Sequence, residues 1–422
     1  MKAIKVSPGS LVVLAGITAA LHVGKLPPAI PALQETLAIT LVQAGFLVSL
    51  VQLAGMSLGL IIGLSADALG LRRSMLTGLG LLTLASLLGG LAESAGALLL
   101  CRALEGLGFL LTVLPAPGLL RQLVPAERLN RILGVWGCYM GIGMGTSLLI
   151  GPWVIAGLGW QGWWWCLALW TALMLPCLLA GVPADRQRQA ARALAPVSAE
   201  GWGRRLSVTL RARGPWLVAL CFGLYACQWL SVIGFLPSIY HQAGFSGGQV
   251  GVLTALVATI NVIGSLGAGQ LMHRGIAANR LLLTGFLATG LFTFLAYSTL
   301  TEALPLLRFA AVLLFSAMGG LIPGALFALA VRLAPSERTI STTVGWMQQW
   351  SAFGQFAGPP GVAWLAAQAG GWHWTWGITG ACSLLGILLA LRIARLLGQA
   401  TVSEPSPVVA PADRAAASSA DT

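Results

Sequence analysis

The feature that most limits what this chain folds into is a succession of uncharged apolar runs, each about 20 residues long and separated by short polar breaks. An α-helix of that length spans the ~30 Å hydrocarbon core of a bilayer. Inside that core a chain satisfies its backbone groups only as helices or as a closed barrel. Barrel strands are about 10 residues long and alternate apolar with polar side chains, and no stretch here alternates over such a length. The reading is an all-α membrane protein. Composition agrees, with 57% hydrophobic and 9% charged residues against roughly 25% charged in soluble domains.

Breaks at charges and Gly/Pro clusters predict helices near 10–33, 42–65, 74–92, 97–123, 131–156 and 162–181. Six more follow near 215–240, 248–272, 281–300, 304–332, 340–368 and 373–397. The chain thus divides into a six-helix bundle over 1–182, a polar linker over 183–213, a second six-helix bundle over 214–398 and a tail over 399–422. The linker is arginine-rich, as a segment lying on an anionic leaflet is. The tail is rich in Ala, Ser and Pro and reads as disordered.

A net charge of +12 would suggest a nucleic-acid partner in a soluble chain, so the placement of the bases decides. All but Lys25, Arg102 and Arg308 of the 24 Lys and Arg fall on one side of a twelve-helix layout, while Glu35, Glu93 and Glu302 mark the other. Basic loops face the cytoplasm, which places both termini inside and removes nucleic acid as a partner. The halves also echo one another, as repeats related by an axis along the membrane normal do. Leu26–Gln34 (LPPAIPALQ) resembles Phe235–Gln242 (FLPSIYHQ), Leu123–Arg128 resembles Arg332–Arg338, and Gly151-Pro152 answers Gly358-Pro359.

The seven cysteines lie inside apolar runs without CxxC spacing, which implies neither a disulfide framework nor a metal site. Motifs of the HExxH, GxSxG and Walker types are missing, so no enzyme activity and no cofactor are expected. Lys2 and Lys5 precede an apolar stretch as in a signal peptide, but the run continues to Leu33 without a small-residue cleavage site and is read as a retained first helix.

Between the second and third predicted helices stands Gly63-Leu-Ser-Ala-Asp67-Ala-Leu-Gly70-Leu-Arg72-Arg73, which resembles the major facilitator superfamily signature G-x-x-x-D-x-x-G-x-[RK]-[RK]. Its glycines permit a tight turn, and Asp67 near a helix end suits a helix N-terminus or an arginine. The resemblance implies that Gly63, Asp67, Gly70, Arg72 and Arg73 latch the halves together in the outward-open state. The matching loop Gly269–Gly275 lacks the aspartate. Arg102-Ala-Leu-Glu105-Gly106-Leu-Gly108 resembles the family pattern R-x-x-[QE]-G-x-G, whose arginine is tied to proton movement. Gly141, Gly143, Gly145 and Gly151-Pro152 are loosely similar to the helix-5 motif of antiporters, and equally suit close helix packing. The resemblance covers about residues 10 to 397, and helices 10 and 11 are similar to those of bacterial cyanate and nitroimidazole permeases and of metabolite, siderophore and drug exporters. It implies a monomeric, multi-pass transporter of the bacterial inner membrane, coupled to protons. Export of a small organic molecule is the leading reading and uptake of a small organic anion the alternative.

An ionisable side chain within a membrane helix costs at least about 2.5–3.5 kcal/mol, so each marks a candidate site. His22 and Lys25 stand three apart on one face of helix 1, as do Arg102 and Glu105 on helix 4, while Arg308 is alone on helix 10. The resemblance makes helices 1, 4, 7 and 10 the walls of the cavity. At a rise of ~1.5 Å per residue, Lys25 lies about 21 Å from the basic end of its helix, at a depth matching Arg102 and Glu105. Two cations and a carboxylate are therefore expected to cluster, with Lys25 and Arg102 attracting an anionic or strongly hydrogen-bonding group. Glu105, with Arg102 as partner, is the expected proton carrier, and His22, which titrates near neutrality, is its rival. Lys25 and Arg308 equally suit snorkelling to the headgroups, and Arg102–Glu105 a structural pair. Tyr139, Gln228, Arg308, Trp346 and Gln349 join Lys25 and Arg102 as candidates for binding the substrate, and Trp136, Tyr225 and Trp350 for shaping the pocket. Gln348, Gln349 and Gln355 need partners in hydrocarbon. Trp160, Trp163, Trp164, Trp165, Trp372, Trp374 and Trp376 read as an interfacial belt.

Overall fold

A computed structural model of the chain describes residues 7–60, 70–185 and 202–402. Every regular element among them is helical. The first half begins with α1 (Pro8–Gly24), whose cap Ser7 accepts from the Ser10 N–H. Pro27 and Pro28 then replace two backbone donors, and the chain turns through a 3-10 segment, Pro27–Ala29, into α2 (Ile30–Leu37). The run after it, α3 (Leu41–Ser49), passes a 3-10 turn at Leu50–Gln52 and continues to Leu60. Next come α4 (Leu71–Gly89), α5 (Ala95–Val113), α6 (Ala116–Leu123), α7 (Ala126–Gly137) and α8 (Tyr139–Gly181).

The remainder comprises α9 (Trp202–Arg211), α10 (Arg213–Gln242), α11 (Gly247–His273), α12 (Ala278–Tyr297), α13 (Pro305–Gly319), α14 (Leu321–Leu333), α15 (Ile340–Ala369) and α16 (Thr375–Val402). Among the described residues nine stretches are long and apolar enough to cross a membrane. One of these, Glu127–Gly181, is far longer than a single crossing requires. Its helix α8 is two helices that meet at Gly159, where φ is 71° and ψ 172°. Leu71–Gly89 and Ile340–Ala369 lie outside that set; the first packs on α5 and α8, the second on α10 and α3. The stretches near 97–123, 131–156 and 304–332, expected as single helices, are each divided in two, at Leu114, Cys138 and Gly320.

Within the first half α1 packs on α8, and α4 on α5 and α8; within the second α10 packs on α15, and α12 on α13 and α16. Where hydrocarbon gives helices no hydrophobic reason to associate, close packing of small residues supplies the contact. Thus a side chain at Gly354 of α15 would overlap the Gly223 carbonyl of α10, and one at Gly24 would lie 2.8 Å from the Met144 backbone of α8. The helix-5 glycines serve the same end on two faces. Gly143 and Gly151 receive Ala20 and Pro28 from the α1 side, while Gly141 and Gly145 receive Val262 and Thr259 of α11.

The halves meet where α8 runs along α11, where α3 runs along α15, and where the Pro27–Ala29 turn meets α10. Gly45 of α3 comes so near α15 that a Cβ would stand 2.8 Å from the Pro360 backbone. Gly248 similarly accepts Trp153, and Gly234 accepts Val48. These contacts close the end of the molecule that carries Glu35, Glu93 and Glu302. The cavity lies between the halves on the side nearer Arg72, Arg121, Arg332 and Arg338, the basic end.

Gly354→Ala is expected to lower the melting temperature in detergent, because overpacking a tight helix contact costs about 1–3 kcal/mol. Gly377→Ala, at a glycine with open space around it, should leave it unchanged or higher. Equal melting of the two variants would show that the α10–α15 contact yields without strain.

Candidate functional site

Glycines bring α5 into place. A Cβ at Gly106 would stand 2.7 Å from the Val51 carbonyl, and one at Gly108 would stand 2.8 Å from the Gly78 carbonyl of α4. With those gaps closed, the Arg102 guanidinium reaches two backbones, donating from Nε to the Leu47 carbonyl (3.0 Å) and from Nη1 to the His22 carbonyl (2.7 Å). The same Nη1 pairs with Glu105 Oε2 at 2.6 Å, across three residues of one helix. The other carboxylate oxygen takes Lys25 Nζ.

Lys25 sits where α1 gives way to the proline turn, and its carbonyl accepts from Trp163 Nε1 at 3.1 Å. Its ammonium also donates to Ser86 Oγ at 2.9 Å and lies 4.5 Å from the centre of the Trp164 ring. His22 Nε2 lies 2.8 Å from Thr171 Oγ1, whose own proton goes to the Leu167 carbonyl. The threonine oxygen must therefore accept, which puts a proton on Nε2 and turns Nδ1 toward Glu105 Oε1, 3.9 Å away. His22, Lys25, Arg102 and Glu105 are fully buried.

The sequence thus correctly groups the four ionisable residues of helices 1 and 4. It misses Ser86, Thr171 and Trp164, which complete their shell. Trp160, Trp163 and Trp164 are buried rather than spread along an interface: Trp163 and Trp164 contact Lys25, and Trp160 packs edge-on against Trp164. Arg308 stays apart in the second half, donating to Thr301 Oγ1 (3.3 Å) and the Ser298 carbonyl (2.7 Å).

On the next turn of α1 and α5 toward the basic end, Ala19, Val23, Val51, Leu82 and Phe109 form an apolar layer. Phe109 is also part of the wall of the central cavity, whose volume is about 280 Å³. Tyr139, stacked on Trp136 at 4.5 Å, and Gln349 line it as the sequence suggests. So does Tyr225, whose hydroxyl lies 2.8 Å and 3.1 Å from the two amide atoms of Asn261. Asn261 and Gln52 are not among the sequence candidates, although each stands in the middle of an apolar run. Gln52 donates to Gln355 across the halves at 3.0 Å. Gln349 donates to the Met56 carbonyl (2.8 Å) and accepts from the Leu60 N–H (3.2 Å).

Five sequence candidates for cargo contact, Lys25, Arg102, Gln228, Arg308 and Trp346, do not line the cavity. Lys25 and Arg102 are sealed in the ion cluster. Gln228 is buried against Ser383, which donates to its Oε1 at 2.9 Å, and Trp346 packs edge-on against Trp216 and Trp350.

Of the signature loop, Gly63 and Asp67 lie outside the described residues. Gly70 has φ 84° and starts α4. Over that start sits the Asp185 carboxylate, accepting from the Arg72 N–H and the Arg73 N–H, both at 3.1 Å. A Cβ at Gly70 would fall 2.7 Å from Asp185 Oδ2, so glycine is required for space as well as for φ. Asp185, read from the sequence only as part of the linker, caps the helix.

Helices packed in two groups about a central cavity, with a sealed ion cluster beside it, define a polytopic membrane transporter. The chain belongs to the Major Facilitator Superfamily, whose profile matches residues 12–359 and, in a second overlapping match, 219–416. Puromycin resistance protein pur8 of Streptomyces alboniger is 35% identical over 169 residues, 39% of this chain and 33% of that protein. The 2-nitroimidazole transporter of Escherichia coli is 27% identical over 63% of this chain and 66% of its own length. The chain therefore spans about a third of the first relative and somewhat less than two thirds of the second. In fold it resembles a bacterial homolog of the human lysosomal transporter Spinster, solved in an inward-facing, unoccupied conformation (TM-score 0.74, 16% identity, covering 95% of this chain and 99% of that one).

Removing one partner from a buried ion pair costs about 3–5 kcal/mol, since the other charge is left uncompensated. Glu105→Gln should therefore depress the melting temperature markedly, and Lys25→Met in the same chain should recover part of the loss. Additive losses in the double variant would show that the two groups are not coupled. Asp185→Ala, which removes a cap at a helix N-terminus, should cost about 1–2 kcal/mol, measured by the same melting.

Proposed function

We propose that the chain is a secondary active transporter that exports a small organic molecule from the bacterial cytoplasm by alternating access, driven by protons entering in exchange. In this reading it crosses the inner membrane twelve times as a monomer, with its basic end and both termini in the cytoplasm. Residues 1–182 and 214–398 form the two moving bundles and 183–213 the linker between them; the tail expected from residue 399 begins as the last turn of α16, which runs to Val402.

The observation that carries the proposal is the Glu105 carboxylate, held fully buried between Lys25 of α1 and Arg102 of its own helix. Coupling requires a group whose hold on a proton differs between two states. A carboxylate whose cationic partners approach and withdraw as helices shift has that property. Lys25 is suited to withdraw, because it sits at the proline-broken end of α1, whereas Arg102 is tied to two backbones. Nδ1 of His22, turned toward the carboxylate, is the next acceptor for the proton. The apolar layer at Phe109 keeps the exchange apart from the cavity on the basic side. A bacterial relative named for puromycin resistance supports the outward direction. With Gly70, Arg72, Arg73 and Asp185 at the basic end, Gly63 and Asp67 form the latch that rocking must release.

The test is accumulation of 2-nitroimidazole, the compound named for one relative, in everted membrane vesicles with an imposed proton gradient. Accumulation should need the gradient and be lost in Glu105→Gln, while counterflow, which needs no net proton movement, should persist and report a folded protein. Driven transport unchanged in Glu105→Gln would move the coupling role to His22, and accumulation only in right-side-out vesicles would reverse the direction.

A further inference from the structure

The cavity and the ion cluster are chemically separate, and the separation bears on what is carried. None of the described residues lining the cavity is Asp, Glu, Lys, Arg or His. An open, water-filled cavity hydrates an ion, but alternating access passes through a state shut at both ends. A charged cargo then needs a counter-charge in the wall, or it bears the cost of dehydration without compensation.

What the wall offers instead is aromatic faces and carboxamides. The first half contributes the stacked pair Trp136 and Tyr139, with ring planes 17° apart. The second contributes Phe222 and Tyr225, with centroids 6.2 Å and planes 6° apart. Flat rings stack on such faces. Aromatic faces also attract cations, but more weakly than water holds an ammonium group. Among the amides, Asn261 is already occupied, bonded to Tyr225 and to the Ser316 carbonyl at 2.8 Å. Gln348 lines the cavity, is exposed to it, and makes no hydrogen bond to another described residue, so its donor and acceptor both remain for a ligand. The volume, about 280 Å³, falls at the small end of ligand pockets, which run from roughly 300 to 1,000 Å³.

We infer that the cargo is a small, uncharged aromatic compound of one or two rings, held between Trp136/Tyr139 and Phe222/Tyr225 and hydrogen-bonded by Gln348. The inference rests on the transport reading above and replaces its sequence-based expectation of an anionic group at Lys25 and Arg102. Those two cations are held by Glu105 and the groups around it.

The experiment is ligand-induced thermal stabilisation of the purified full chain, without any gradient. Benzamide, benzoate and benzamidinium share one ring and differ in charge; nicotinamide extends the uncharged set. At least one uncharged probe should stabilise the protein at concentrations tenfold or more below benzoate and benzamidinium. Gln348→Leu should weaken that probe about tenfold, the loss of one hydrogen bond. Gln348→Glu should bring benzamidinium up to or above benzamide. Benzoate or benzamidinium binding as well as the uncharged probes to the unaltered protein would overturn the inference, as would stabilisation by none of the uncharged set or an unchanged ranking in Gln348→Glu. Because binding is read at equilibrium, failure of proton-driven export would leave this result standing, and a reversed charge ranking would leave the coupling role of Glu105 untouched.

Discussion

One carboxylate shared between two cations organises the first half of the molecule. Glu105 sits in hydrocarbon, where a lone charge is not tolerated, and its two oxygens go to different helices' cations. Much of the surrounding backbone follows from that demand. Gly106 and Gly108 let α5 press against the Leu50–Gln52 turn and α4, which brings Arg102 onto the carbonyls of Leu47 and His22. The proline break in α1 holds Lys25 at its last turn, and Trp164 covers the ammonium with a ring face.

The second half has no such centre. Its interior polar groups are amides and hydroxyls, as in the Gln228–Ser383 bond and the Tyr225–Asn261 pair. The two halves therefore meet as unlike partners, one with charge buried behind an apolar layer and one neutral throughout its share of the cavity wall. Between them stand contacts of glycine with proline, threonine and valine, which leave the helices close and the surfaces smooth. Such an interface resists separation by dispersion forces rather than by charge, and relative movement of the halves breaks few strong bonds there.

Much of this was legible in the sequence, for reasons that differ by residue. The all-helical fold follows from composition, which the bilayer enforces over long stretches. The meeting of Lys25 with Arg102 and Glu105 follows from depth, because helical rise converts position into height. Height does not fix rotation about a helix axis, however. That is why Gln228 and Trp346, at suitable heights, face their own bundle while Asn261 and Gln52 face the cavity. Kinks are similarly hidden: Gly159 was one glycine among 54, and its positive φ depends on the chain on either side. The capping of α4 by Asp185 joins positions far apart in sequence, which no local pattern reports.

Gln349 touches α3 only through main-chain atoms, the carbonyl of Met56 and the amide of Leu60. Recognition of that kind is blind to side-chain identity. The surface of α3 facing α15 is free to drift through successive substitutions without losing this tie, so long as it remains helical, whereas a change at 349 severs it at once. At this tie the demand on side-chain identity falls on α15 alone, whereas at Gly45 and Gln52 it falls on α3 as well.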